Sequence, residues 1–416
     1  MRLGSRPAFR KLVCGVCLRL SRHAEGVKTF STSPSLQSVM QAWVIDKYGD
    51  NSVLRFTKNA AFPVIHYPNE VIIKVHAAGL NPLDVNMRRG YGAATLAMKR
   101  DPLNINKVGS EFPLILGRDV SGVIMECGLD VGYFKPGDEV WAAIPPWKQG
   151  SLAEFVVLSA NEVSHKPKSL SHTDAVSIPY VAATAWSALV NTGGLNKDNC
   201  SKKRAVNPAP SLLLRDSASL ERILILGGSG GVGTFAIQLL KSWGGHVTVT
   251  CSQNAERLVR GLGADDVVDY TSGPVERKLH TLDKFDLVLD NVGGETEKWA
   301  LALLKPWSGG KYVTLVTPFL HNTDQLGLAD GMMQTAVTIA TKALKHLTKG
   351  VHYRWGFFAP SGAALDDVSE IMDAGKIRAV VEETFSFSQV PQAMQKVEQG
   401  HARGKTVVTV AKEQDQ

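Results

Sequence analysis

The sequence predicts an α/β protein of two parts, a β-rich unit and a doubly wound, mostly parallel sheet covered by helices. Three observations carry this. Between Met40 and Ile178 short apolar runs are bounded by turn residues, as half-buried strands are. From Pro179 onward apolar strands alternate with helical segments, the pattern of βαβ units closing a parallel sheet. At the head of that region the apolar run Ile223–Leu226 leads at once into Gly228-x-Gly230-x-x-Gly233 and then into an apolar-periodic helix.

In the first unit, Gln41–Ile45, Val71–His76, Glu139–Ile144 and Gly150–Leu158 read as strands, and Lys135-Pro136-Gly137-Asp138 as the tight turn feeding the third. Ala94–Glu111 is polar and without period, and reads as a surface loop near the site. In the second unit, strands are expected over Arg222–Leu226, His246–Thr250, Asp266–Asp269, Phe285–Asp290 and Lys311–Val316. Helices are expected over Val181–Val190, Val232–Trp243, Ala255–Leu262, Thr296–Leu304 and Gly331–Leu347. The chain then returns to mixed structure, with a helix at Leu365–Ala374 and a closing strand at Thr406–Val410. The domains are therefore drawn at 40–178, 179–356 and 357–416, the last completing the first. Ala205–Glu221, with two prolines and no period, reads as a loop insert without a role in chemistry.

Residues 1–39 are set apart by composition. They hold five Arg and two Lys against the single acid Glu25, so most of the net charge of +7 lies there and the rest of the chain is close to neutral. An Arg- and Ser-rich, acid-poor leader with interspersed apolar residues has the composition of a mitochondrial transit peptide; the alternative is a disordered basic tail. A near-neutral remainder gives no electrostatic footprint for nucleic acid. The five cysteines form no disulfide framework, and the Cys14/Cys17 pair lacks the second pair that a zinc site needs.

The chemistry centres on the glycine loop. Placed between strand and helix, Gly228, Gly230 and Gly233 permit a tight turn, backbone approach to a pyrophosphate and close helix–strand packing, with Ser229, Gly231 and Val232 between them. An NAD enzyme normally carries an acid about 20 residues on, at the end of the next strand, for the ribose hydroxyls. That strand ends here in Thr250-Cys251-Ser252 with no acid, so NADPH is expected as cofactor. Asp290-Asn291-Val292-Gly293-Gly294 ends a further strand, either as a close cofactor approach or as a plain turn.

Taken together, Gly79-Leu80-Asn81-Pro82-Leu83-Asp84, Gly117-Arg118-Asp119, Lys135–Asp138, Gly228–Gly233 and Gly404-Lys405-Thr406-Val407-Val408 resemble the medium-chain dehydrogenase/reductase superfamily, in its zinc-free quinone oxidoreductase branch. The resemblance spans nearly all of 40–411 and implies a GroES-like substrate domain beside a Rossmann-type domain. Zinc-dependent relatives place Cys at 81 and His-Glu at 118–119; Asn81 is a poor ligand and Arg118 none, so no metal is expected. The resemblance further implies cofactor contacts from Ser229, Gly231, Val232, Ser252, Tyr270, Asn291, Leu315, Trp355, Phe357, His401 and Arg403. It puts Asn81, Asp84 and Tyr91 beside the nicotinamide as candidates for catalysis, with Asp84 alternatively a helix cap. The leader, Tyr312–Phe319 and His352–Trp355 resemble a mitochondrial member and imply a reticulon-type membrane partner. The activity implied is hydride transfer to a quinone-like small molecule, with a link to ubiquinone metabolism. A catalytically weak NADPH-binding scaffold is the alternative. Met332–Leu347 leaves open a homodimer contact, a lid or ordinary core packing.

Overall fold

The computed structural model describes residues 39–100, 111–200 and 221–411. The leader with Cys14 and Cys17, and all of the 205–221 insert but Glu221, lie outside them. Among the described residues sixteen strands follow in chain order. They are β1 (Val39–Ile45), β2 (Leu54–Ala61), β3 (Glu70–Leu80), β4 (Leu114–Ile115), β5 (Asp119–Cys127), β6 (Glu139–Ala143), β7 (Phe155–Ser159), β8 (Val163–His165), β9 (Arg222–Leu226), β10 (His246–Cys251), β11 (Asp266–Asp269), β12 (Leu287–Asp290), β13 (Lys311–Thr314), β14 (His352–Trp355), β15 (Val381–Ser386) and β16 (Lys405–Thr409).

The second group forms one parallel sheet in the order β11-β10-β9-β12-β13-β14, the doubly wound arrangement in which strand order reverses beside the first strand. Both faces are covered, so its strands are continuously apolar rather than alternating. Ile223, Ile225, Val247, Val249, Leu287, Leu289 and Val313 join one core with the helices Pro179–Trp186 and Gly231–Ser242. Leu224, Leu226, Val288 and Tyr312 face the other way, into a cluster with Phe285, Leu303 and Tyr353.

The β-rich lobe is built from both ends of the described chain. Its larger sheet runs β15-β16-β3-β5-β6-β8 with β7 also paired to β3, and a small sheet β2-β1-β4 lies beside it. β16 pairs with β3 and thereby returns the C-terminus to this lobe. The residue before that closing strand also touches the parallel-sheet lobe: Gly404 forms a bridge with Gly230, and its N–H donates to the Ser229 carbonyl at 3.1 Å.

Two sequence expectations are corrected. The first half of the Ala94–Glu111 segment is helical, Ala93–Arg100, with Thr95 and Leu96 buried. Its anchor is remote in sequence: Asp324 accepts from the N–H groups of Gly92 at 2.6 Å and Ala94 at 3.2 Å, and the Thr95 and Thr323 hydroxyls meet at 2.9 Å. The helix expected over Val181–Val190 starts at Pro179 and ends in a widened turn over Ser187–Thr192, where the Gly193 N–H reaches back to the Ala188 carbonyl.

Candidate active site

The glycine loop lies at the carboxyl edge of the parallel sheet, between β9 and the helix Gly231–Ser242. Two glycines there have opposite reasons. A Cβ on Gly233 would sit 2.4 Å from the Gly227 carbonyl oxygen, so the third glycine is required for the helix to pack this closely on its own strand. A Cβ on Gly230 would meet nothing within 4 Å, and Gly230 is the N-cap of the helix with ordinary extended angles. The space over a helix N-terminus is thus open where an anionic group gains from the unpaired N–H groups and the helix dipole.

The other expected cofactor residues follow the same edge in strand order: Tyr270 after β11, Ser252 after β10, the loop after β9, Asn291 after β12, Leu315 after β13 and Phe357 after β14. Five inter-strand steps make this row about 24 Å long. Tyr270 is tied to the row by its N–H, which donates to the Cys251 carbonyl at 3.1 Å, and Leu315 by its N–H to the Asp290 carbonyl at 3.0 Å. The Ser252 hydroxyl donates to Asn254 at 2.7 Å; the next acid, Glu256, faces Arg260. Asn291 follows β12 across the switch point from the glycine loop, and its buried amide has no hydrogen-bond partner among the described residues. An unpaired buried amide is costly, and a polar ligand in the crevice would satisfy it. Gly230 and Asn291 therefore both fit a nicotinamide dinucleotide.

Trp355 departs from this row. Its indole lies in the core beside Tyr353, whose hydroxyl accepts its N–H at 3.2 Å, and Phe357, 48 % exposed, takes the open side. His401 and Arg403 come beside the loop only through Gly404. His401 adopts a left-handed φ of 54°, the Arg403 N–H donates to Glu382 at 2.9 Å, and both residues are exposed.

The segment after β3 carries the residues expected beside the nicotinamide. Asp84 is fully buried and acts as a cap: its carboxylate accepts from the Asn81 N–H at 2.9 Å and the Gly117 N–H at 2.7 Å, with Arg118 Nε 3.5 Å away. Burial raises its pKa against the opposing pull of Arg118. With both oxygens engaged inside the protein, the alternative reading as a helix cap replaces that of a catalytic acid. Tyr91 is half-buried; burial and then Asp324 raise its pKa, so its hydroxyl stays protonated. Asn81 is the N-cap of the helix Pro82–Arg88 and forms a capping box with Asp84. Its Nδ2 donates to Asp119 at 2.8 Å, and Oδ1 accepts from Lys405 Nζ at 2.5 Å.

Lys405 was not singled out from sequence as a site residue. Its Nζ also lies 2.8 Å from Asp119 Oδ2, and both side chains are buried. Asp119 in turn accepts from the Tyr180 N–H, and the Tyr180 ring stacks on Phe358 at 4.3 Å. The available signal was a lysine opening an apolar strand, since a buried lysine must be paired.

These groups do not make a metal centre. Among the described residues no three His, Cys, Asp or Glu side chains converge on a common point. Arg118 is buried and donates to the carbonyls of Ile115, Pro145 and Lys148 at 2.8 to 3.1 Å. A cation is already built into the place that a ligand would occupy, and no step through zinc follows.

Comparison with known proteins agrees with this architecture. The family model described as "Alcohol dehydrogenase GroES-like domain" matches residues 67–168, and that described as "Zinc-binding dehydrogenase" matches residues 262–408. The chain is 75 % identical over 387 residues to "NAD(P)H oxidoreductase RTN4IP1, mitochondrial" of Danio rerio, covering 93 % of this chain and 95 % of that protein. It is 36 % identical to "Reticulon-4-interacting protein 1, mitochondrial" of Caenorhabditis elegans, covering 91 % and 96 %. Among solved structures, the quinone oxidoreductase from Coxiella burnetii superposes with a TM-score of 0.69 at 26 % identity, over 90 % of this chain and all of that one. Its two domains, glycine loop and mitochondrial relatives together establish that the chain belongs to the medium-chain dehydrogenase/reductase family, as a mitochondrial NAD(P)H oxidoreductase.

Proposed function

We propose that the cofactor is NADPH and that the hydride acceptor is a quinone or a similarly activated carbonyl compound. The observation that carries the cofactor choice is the end of β10. Ser252 is neutral and half-buried, with its hydroxyl donating to Asn254, so no carboxylate stands there to accept ribose hydroxyls or to repel a 2′-phosphate. Bound NADPH supplies the hydride and the protein supplies orientation and exclusion of water. The helix N-terminus at Gly230 seats the pyrophosphate, Asn291 receives the nicotinamide half, and Asn81 with Tyr91 faces the acceptor. Without a Lewis acid to polarise an ordinary ketone, the acceptor must already be electrophilic, and the solved quinone oxidoreductase supports a quinone. The proton for the reduced acceptor then comes from the Tyr91 hydroxyl, which burial keeps protonated, or from water, and Tyr91→Phe with undiminished kcat would assign it to water.

The test is steady-state oxidation of NADPH and NADH against a panel of quinones, with Ser252→Asp beside the wild type. The substitution should move the NADPH:NADH ratio of kcat/KM toward NADH by about tenfold or more, equal to about 1.4 kcal/mol; an unmoved ratio rejects the assignment. The nematode relative's name supports a reticulon-type membrane protein as partner, with the chain acting as an NADPH-loaded scaffold. Tight NADPH binding without turnover on any acceptor would favour that reading.

A further inference from the structure

We propose that Lys405 is a positioning residue for the acceptor: held against the phosphate loop, its ammonium locks the Asn81 amide in the one orientation that offers an N–H to the acceptor oxygen. The inference rests on the function just proposed, in which Asn81 faces the acceptor.

The geometry runs in one short chain from cofactor loop to acceptor. Gly404 is fixed to the loop by its N–H bond to the Ser229 carbonyl at 3.1 Å and by its bridge to Gly230. The next residue is Lys405, and a Cβ on Gly231 would meet its Cδ at 3.1 Å. The stem thus runs beside the loop, and Nζ ends between Asn81 Oδ1 at 2.5 Å and Asp119 Oδ2 at 2.8 Å. Asn81 is sandwiched: its oxygen faces the ammonium and its nitrogen faces the carboxylate at 2.8 Å. Turning the amide over would set oxygen against carboxylate and NH₂ against ammonium, losing both bonds and adding two repulsions. The order is therefore imposed by charge.

Two features show that this is more than a buried ion pair. Asn81 stands at a helix N-cap in a capping box with Asp84, so its side-chain oxygen is aimed at the first turn as well as at Lys405, while Nδ2 donates to Asp119. Nδ2 carries a second N–H beyond the bond to Asp119, and withdrawal of electron density at Oδ1 by the ammonium makes that N–H a stronger donor. It suits an oxygen that gains negative charge as hydride arrives.

The experiment compares wild type, Lys405→Met, Asn81→Ala, the pair together, and Lys405→Met/Asp119→Asn. The last removes both buried charges and keeps the test valid if the single lysine variant does not fold. Each is measured for kcat and KM with a quinone that the wild type reduces, and for NADPH affinity by the rise in cofactor fluorescence on binding. Lys405→Met and the charge-neutral double variant should lose about tenfold to hundredfold in kcat, as a misplaced donor does, while the NADPH Kd stays within about threefold. In the Asn81→Ala background Lys405→Met should add little, because its effect passes through Asn81. Additive losses, or a charge-neutral variant with unchanged kcat, would overturn the inference and leave the oxidoreductase reading standing. A wild type without turnover on every quinone would bring down both.

Discussion

The strongest prediction contrasts two glycines three residues apart in one loop. Gly233→Ala puts a methyl group 2.4 Å from the Gly227 carbonyl oxygen and 2.7 Å from Gly228 backbone atoms. Neither side can yield by a rotamer change, so helix and strand must separate by about 1 Å, an overpacking cost of about 1–3 kcal/mol. Alanine recovers about 1 kcal/mol of helix propensity. With backbone atoms as the obstacle the cost falls at the upper end of that range, so the balance is a loss of about 2 kcal/mol, read as a cofactor-free thermal midpoint lower by about 2–3 °C for a chain this long. Gly230→Ala has φ near −72° and open space around its new Cβ. It should change the midpoint little, since the N-cap cost of alanine against glycine, about 0.5–1 kcal/mol, is offset by the lower entropy of the unfolded chain. Its methyl group instead enters the space over the helix N-terminus, and the NADPH Kd should rise about tenfold to hundredfold, or about 1.4–2.8 kcal/mol. Differential scanning fluorimetry without cofactor and fluorescence titration with NADPH separate the two. If Gly230→Ala lowers the midpoint as far as Gly233→Ala, or leaves the Kd alone, the loop is a structural turn and not a phosphate seat.

The remaining predictions concern stability. Burial pushes His172 down from 6.5 to about 4, helped by His76 and Lys166 and opposed by Glu139, while its Nδ1 lies 2.7 Å from the Ser121 hydroxyl. The unfolded chain therefore takes this proton first as pH falls through 6.5, and stability declines from there to about 4 and then levels off. Thermal midpoints of wild type and His172→Asn across that window should converge as the pH falls; parallel curves would clear His172 of the effect. Arg118→Met would strand the buried Asp84 carboxyl and deprive three carbonyls of their donors, at about 3–5 kcal/mol by denaturant unfolding. A loss below about 1 kcal/mol, the range of surface pairs, would show that the pair is not held as described.

What the sequence discloses and what it hides divide by distance along the chain. The β9–loop–helix unit was legible because strand, glycines and apolar helix are contiguous and each has its own period. Ser252, Asn291 and Leu315 fall along one edge because a parallel sheet puts every strand's carboxyl end on one side. Ala93–Arg100 was not legible as a helix, because its N-terminal N–H groups are satisfied by Asp324, about 230 positions away. The burial of Trp355 was not legible for a related reason. At the end of an edge strand an indole can face cofactor or core, and Tyr353, itself bonded to Glu297 at 3.0 Å, decides for the core. The bond from Lys405 to Asn81 crosses 324 positions, and no local pattern announces it.

That last contact also bears on how one fold serves different chemistries. Position 81 and positions 118–119 converge in this architecture whatever residues fill them, because β3 and β5 are paired neighbours with Gly79 opposite Asp119. With metal ligands there, the convergence would build a Lewis acid. With Asn81, Arg118 and Asp119, and with Lys405 reaching in from β16, it builds two buried cation–carboxylate pairs, Lys405 with Asp119 and Arg118 with Asp84. One holds a helix start and the strand entry at Gly117; the other holds an amide against the cleft. A fixed amide can stabilise charge that an electrophilic acceptor develops on taking hydride, but it cannot generate electrophilicity in an unactivated ketone or alcohol. The acceptor class proposed above, quinones and activated carbonyls, therefore rests on these pairs standing where a metal site would need ligands, and the glycine loop alone does not imply it.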